Sequence, residues 1–166
     1  ASLITGAYTL TGQGTFTNTN GTVTISSSGA INLGTNAFSN ASTVESNGSL
    51  TCGNFTSTGT FTNNSGSVIT ASGNVVISGA FENPTNNTLI MTGALKTINA
   101  SITIGNLQIN NGAITAILNQ DLFVGGTLIV GEGGGSAAFY TNYDNLTVSG
   151  TTTINTGASI RVEAST

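Results

Sequence analysis

Short alternating runs of apolar and polar residues recur along this chain. Examples are Thr22-Val23-Thr24-Ile25, Ser101-Ile102-Thr103-Ile104, Asn106-Leu107-Gln108-Ile109 and Asn145-Leu146-Thr147-Val148, each bounded within a few residues by Gly or Asn. A period of two is the pattern of a strand with one buried face. No stretch carries apolar residues at i, i+3, i+4 and i+7 over three turns, and Gly, Thr, Ser and Asn are poor helix formers. The pattern therefore predicts an all-β chain of short strands and tight turns.

Over this alternation lies a longer rhythm. The phrase Phe-x-Asn occurs at Phe16-Thr17-Asn18, Phe38-Ser39-Asn40, Phe61-Thr62-Asn63 and Phe81-Glu82-Asn83, with the phenylalanines 22, 23 and 20 residues apart. Self-similarity at about 20 residues marks a solenoid whose repeats are stacked coils. The longest match relates the segment from Gly14 to that from Gly59, a shift of 45 residues that reads as two coils. Leu107, Leu128 and Leu146 continue the spacing in aliphatic form. With a first coil around Tyr8, the count is about eight rungs of roughly 20 residues. A sandwich would give no reason for phased aromatics. The spacing predicts a single parallel β-solenoid domain over residues 1–166. Phe16, Phe38, Phe61 and Phe81 are expected to form one inward stack, with Asn18, Asn40, Asn63 and Asn83 as a neighbouring inward amide ladder. Pro84 should mark a turn, and residues 131–136 a loop or enlarged corner.

Composition then narrows the function. Only 5% of residues are charged and the net charge is -4, yet 37% are hydrophobic. A disordered chain would be less apolar and more charged, and no run approaches the roughly 20 apolar residues of a membrane helix. Two basic residues cannot hold a phosphate backbone or an anionic membrane surface, so neither nucleic acid nor membrane insertion is expected. Cys52 stands alone and reads as a small buried residue, with an intermolecular bridge as the sharper alternative. Asn-x-Ser/Thr sequons begin at Asn20, Asn40, Asn47, Asn54, Asn63, Asn86, Asn99 and Asn145. That number is little more than the roughly six this composition yields by chance.

Chemistry finds little to work with. There is no His, which removes the commonest general base and metal ligand. Asp121 and Asp144 are 23 residues apart, about one rung, so the pair could stack side by side for glycoside hydrolysis or a hard cation. Their Asn-rich contexts read instead as solvated corners. No catalytic, metal or cofactor-binding residue is assigned, and the chain reads as a non-enzyme. The Thr-x-Thr flanks at Thr15/Thr17 and Thr60/Thr62 suggest an ice-ordering array, but Ala37/Ser39 and Ala80/Glu82 interrupt it. Tyr8, Tyr140 and Tyr143, where exposed, would suit stacking on sugars.

The segments Asn106-Leu107-Gln108-Ile109-Asn110-Asn111-Gly112, Gly126-Thr127-Leu128-Ile129-Val130 and 145–154 (NLTVSGTTTI) resemble the repeats of β-strand-repeat microbial surface proteins. That group includes autotransporter passengers and filamentous-haemagglutinin-like adhesins. The resemblance implies an extracellular or cell-surface β-helix serving as stalk, fibre or adhesin, and it carries no catalytic residues. The Ala1-Ser2 start suits a mature, exported chain. Both 1–10 and 155–166 are strand-like and lack a cap, which predicts self-assembly by head-to-tail stacking or strand donation. The expected function is a structural subunit of an extracellular filament, its partner being itself. An adhesin segment binding surface glycans is the alternative, with ice binding less favoured.

Overall fold

In the computed structural model, which describes residues 1–64, 66–82, 87–110, 115–134 and 136–163, the chain winds into a parallel β-solenoid. Each coil lays down three short strands, one per face. Face 1 begins as a five-stranded sheet of Ser2–Ile4, Thr22–Ile25, Thr43–Ser46, Thr60–Asn63 and Phe81–Glu82. In the later coils its place in the winding order is taken by a separate three-stranded sheet, Thr103–Ile104, Leu122–Val124 and Leu146–Val148. Face 2 runs eight strands without a break: Thr9–Thr11, Ala30–Asn32, Ser49–Cys52, Val68–Ala71, Thr88–Met91, Asn106–Asn110, Leu128–Glu132 and Thr152–Ile154. Face 3 is equally deep: Phe16–Asn18, Phe38–Asn40, Phe55–Ser57, Val75–Ile77, Lys96–Ala100, Thr115–Leu118, Ala138–Tyr140 and Ser159–Arg161. Every pairing is parallel, and no helix occurs among the described residues.

Parallel pairing in register places like residues over like, so the core is a set of columns. On face 2 one column climbs Leu10, Ile31, Leu50, Ile69, Leu89, Leu107, Leu128 and Thr152. Beside it run Cys52, Ala71, Met91, Ile109, Val130 and Ile154. From Ile31 to Leu128 the first column is 0–1% exposed, and each such aliphatic side chain contributes about 1.5–3 kcal/mol by leaving water. Cys52 is fully buried in this core and its thiol is pushed up to about 12 by desolvation. A thiol in that setting is a packing group, which removes the intermolecular bridge.

The aromatic columns correct the expectation of one stack. Phe16, Phe38 and Phe55 lie over one another on face 3, with Phe16–Phe38 centroids 5.3 Å apart and Phe38–Phe55 centroids 5.8 Å apart, rings nearly parallel. Val75, Ile98 and Leu118 extend that column. Phe61 and Phe81 belong to face 1, stacked at 5.5 Å above Val44 and Val23. The two stacks meet edge to face inside the coil, Phe55 and Phe61 lying 5.3 Å apart at 79°. The reason is topological: the 23-residue step from Phe38 to Phe61 is one coil plus one face. The true partner of Phe38 is Phe55, whose phrase is disguised as Phe55-Thr56-Ser57. By the same argument the 45-residue match from Gly14 to Gly59 spans two coils and one further face. Leu107 and Leu128 pair on face 2, whereas Leu146 pairs with Leu122 on the late sheet of face 1.

The amide ladder divides likewise. The Asn18 side-chain amide donates to Asn40 Oδ1 at 3.0 Å, and Asn40 Nδ2 donates to Ser57 Oγ at 3.2 Å and to the Thr60 carbonyl at 3.1 Å. Ser42 N–H donates back to Asn40 Oδ1 at 3.1 Å. These asparagines thus pin the corner between face 3 and face 1 as well as linking coils. Asn63 is buried over Ser46 on face 1, and its side-chain polar atoms have no hydrogen-bond partner. Asn83 and Pro84 lie outside the described residues. The expected loop at 131–136 is partly strand: Leu128–Glu132 continues through a bulge at Gly131, where Val130 pairs with Ile109 and Glu132 with Asn110. Gly131 has φ 87°, which glycine adopts without the Cβ clash of other residues.

Candidate functional site

The late sheet of face 1 brings an aromatic ring, a carboxylate, an amide and threonines to one groove. Leu122-Phe123-Val124 alternates inward, outward, inward: Leu122 and Val124 are buried, while the Phe123 ring faces solvent between Thr103 on the coil before and Thr147 on the coil after. Every other phenylalanine is buried in the core or packed against it. At the start of this strand Asp121 reaches to the following coil. Its carboxylate accepts from Asn145 N–H at 2.7 Å and from the Asn145 side-chain amide at 3.1 Å through both oxygens. These bonds, the backbone one foremost, hold the Asp121 carboxyl below its ordinary value. The sign follows: the clamp is fully present above the ordinary Asp range and is lost as pH falls through the lowered value. Asp121 is fully exposed, so water screens the effect.

Asp121 and Asp144 do not stack side by side in register. Asp121 faces Asn145, one residue past Asp144, and the two carboxylates line different grooves. Asp121 borders a groove with Phe123, Thr103 and Thr147, while Asp144 borders another with Thr141, Tyr143 and Glu163. The clamp and the turn explain this: Asp121 is spent on Asn145, and Asp144 N–H donates to the Thr141 carbonyl at 2.9 Å, turning the chain back. Among the described residues no group of three or more Asp, Glu, Cys or His is placed to hold a metal ion.

Other expectations also find their places. Tyr8 and Tyr143 are well exposed, at 81% and 64%, whereas Tyr140 is half-buried with the Arg161 guanidinium 5.2 Å from its ring centre. The threonine flanks belong to different faces. Thr17 is on face 3, and on face 1 the column Thr22, Thr43, Thr60 stands beside Thr24, Glu45, Thr62, Glu82, so carboxylates break the hydroxyl grid. Of the sequons, Asn40 and Asn63 are buried and inaccessible to a modifying enzyme, Asn20, Asn54 and Asn145 are exposed, and Asn86 is outside the described residues. Sequence reasoning missed Phe123 as a surface group. Residue type does not mark the outward position in Leu122-Phe123-Val124; the pairing of Leu122 and Val124 with the half-buried Leu146 and Val148 does.

Among the described residues no helix is long and apolar enough to cross a membrane. No family model, curated protein or solved structure matches the chain.

Proposed function

We propose that this chain is a structural segment of an extracellular filament or cell-surface fibre, built by stacking solenoids end on end. The observation that carries the reading is the character of the two end coils. Among the described residues, Ser2–Ile4, Thr9–Thr11 and Phe16–Asn18 pair on one side only, as do Leu146–Val148, Thr152–Ile154 and Ser159–Arg161. Their inner columns end in Leu3, Leu10 and Phe16 at one end and Leu146, Ile154 and Ile160 at the other. All six side chains keep part of their surface in water, Leu10 at 37% and Ile154 at 50%. A rung edge of this kind, around an apolar centre, is a surface onto which a further parallel coil, here that of a second copy, fits. The contact is heterologous, so it propagates as a fibre unless it closes into a ring. A surface rich in Ser, Thr and Asn and poor in charge, together with the resemblance to β-strand-repeat surface proteins, supports an extracellular setting.

Sedimentation velocity over a concentration series tests this. Wild-type protein should form species whose mass grows with concentration. The double substitution Leu10→Lys and Ile154→Lys, which puts like charges on the facing ends, should sediment as a monomer with an unchanged β circular-dichroism signal. Wild type that stays monomeric at every concentration, or a double variant that assembles like wild type, would remove the proposal.

A further inference from the structure

We propose that the late coils of face 1 carry a lateral groove for a neutral oligosaccharide, with the rings of Phe123 and Tyr143 as stacking platforms. Two adjoining grooves make up this surface, and Asn145 lines both. The first holds the outward ring of Phe123 between Thr103 and Thr147 of the adjacent coils. The second holds Tyr143, beside Asp144 and Glu163.

The backbone around Tyr143 argues that its presentation is built. The turn from face 3 to face 1 takes two or three residues at every earlier coil, but residues 141–145 fill it at the last. Within it Asn142 and Tyr143 have φ 50° and 68°, a left-handed conformation that is unfavourable for a bulky aromatic residue. Burial of the ring does not offset that cost, since Tyr143 is 64% exposed. The Asp121–Asn145 clamp ties the end of this turn to the strand that carries Phe123.

The chemistry selects the occupant. A pyranose presents a C–H face that packs on an aromatic ring and a rim of hydroxyls that pair with carboxylate, amide and hydroxyl groups. Those are the groups this surface offers. Asp121, Asp144 and Glu163 border the two grooves, and no Lys or Arg is among the described residues that line them. Sulfated, phosphorylated and uronic sugars are thereby repelled. A peptide is less well served. The middle strand, Leu122–Val124, is already paired with Thr103–Ile104 and Leu146–Val148, so its backbone is not free to add a strand.

Calorimetric titration of wild-type protein with gluco-, xylo- and mannohexaose tests the assignment, with a sulfated hexasaccharide and a Lys-rich hexapeptide as the other arms. At least one neutral hexaose should bind saturably, with a Kd of about millimolar or tighter. Phe123→Ala and Tyr143→Ala should each weaken it about tenfold or more without shifting the thermal midpoint, because both rings lie outside the core. If Phe123→Ala loses its fold, Tyr143→Ala decides alone. The absence of binding by all three neutral sugars, affinity unchanged in both variants, or capture of only the sulfated sugar or the peptide would overturn the proposal.

Discussion

Replacing Phe38 by alanine should cost about 3–5 kcal/mol of folding stability. Phe38 is fully buried and touches three rings: Phe16 and Phe55 in parallel stacks at 5.3 and 5.8 Å, and Phe61 edge-on at 6.3 Å. Removing it leaves a void between columns whose backbones are held in register by the coils above and below, so the walls relax little. Phe55→Ala should behave similarly, because Phe55 is the third member of the same column. Phe123→Ala, on the outer surface, should change stability by no more than about 0.5 kcal/mol. Urea unfolding followed by circular dichroism compares the three. A loss at Phe38 below about 1 kcal/mol, or one no larger than that at Phe123, would contradict the columnar core.

The second large effect is expected at a corner. Gly59 and Gly79 occupy the same position on successive coils: Gly59 N–H donates to the Asn40 carbonyl and Gly79 N–H to the Ser57 carbonyl, each at 3.2 Å. A Cβ at Gly79 would overlap the carbonyl oxygens of Gly59 and Thr58 on the coil before. Those atoms are backbone in a stack whose spacing the sheets hold, so they cannot swing aside. Gly79→Ala should therefore destabilise by about 1–3 kcal/mol or more. Gly14→Ala, where an added Cβ meets nothing within 4 Å, should be neutral or stabilise by about 0.4–1 kcal/mol through the unfolded chain. The same urea titration reads both. Equal effects at the two glycines would mean that coil-to-coil approach does not set the glycine requirement.

Coil length and the inward direction of Phe and Asn were legible because both are local. Period-two alternation places Phe38 and Asn40 on one side of a strand, and both are buried. The assignment of strands to faces was not legible. Three short strands per coil share one alphabet, so a repeated phrase does not say which face it occupies, and coil lengths vary enough to hide a slip of one face. Phe61 carries the phrase on face 1, while Phe55, the real partner of Phe38, carries Ser57 where the phrase has Asn. Face 2 holds the longest apolar column, yet its Leu and Ile alternate without a phrase to mark them. Even spacing would set Asp144 beside Asp121, but the enlarged 141–145 turn brings Asn145 there instead. Phe123 was hidden for a related reason: in Leu122-Phe123-Val124 all three residues are apolar, and only the pairing with Leu146 and Val148 shows which one faces out.

The central claim, that the solenoid is a unit of a longer stack, is tested most directly by electron microscopy of the purified protein at high concentration. Eight coils at about 4.8 Å each make a unit roughly 38 Å tall. Unbranched filaments are expected, with an axial repeat equal to eight strand spacings, so that the spacing of about 4.8 Å runs unbroken across the junction between copies. A field of separate particles of about that height, with no filaments at any concentration, would contradict it.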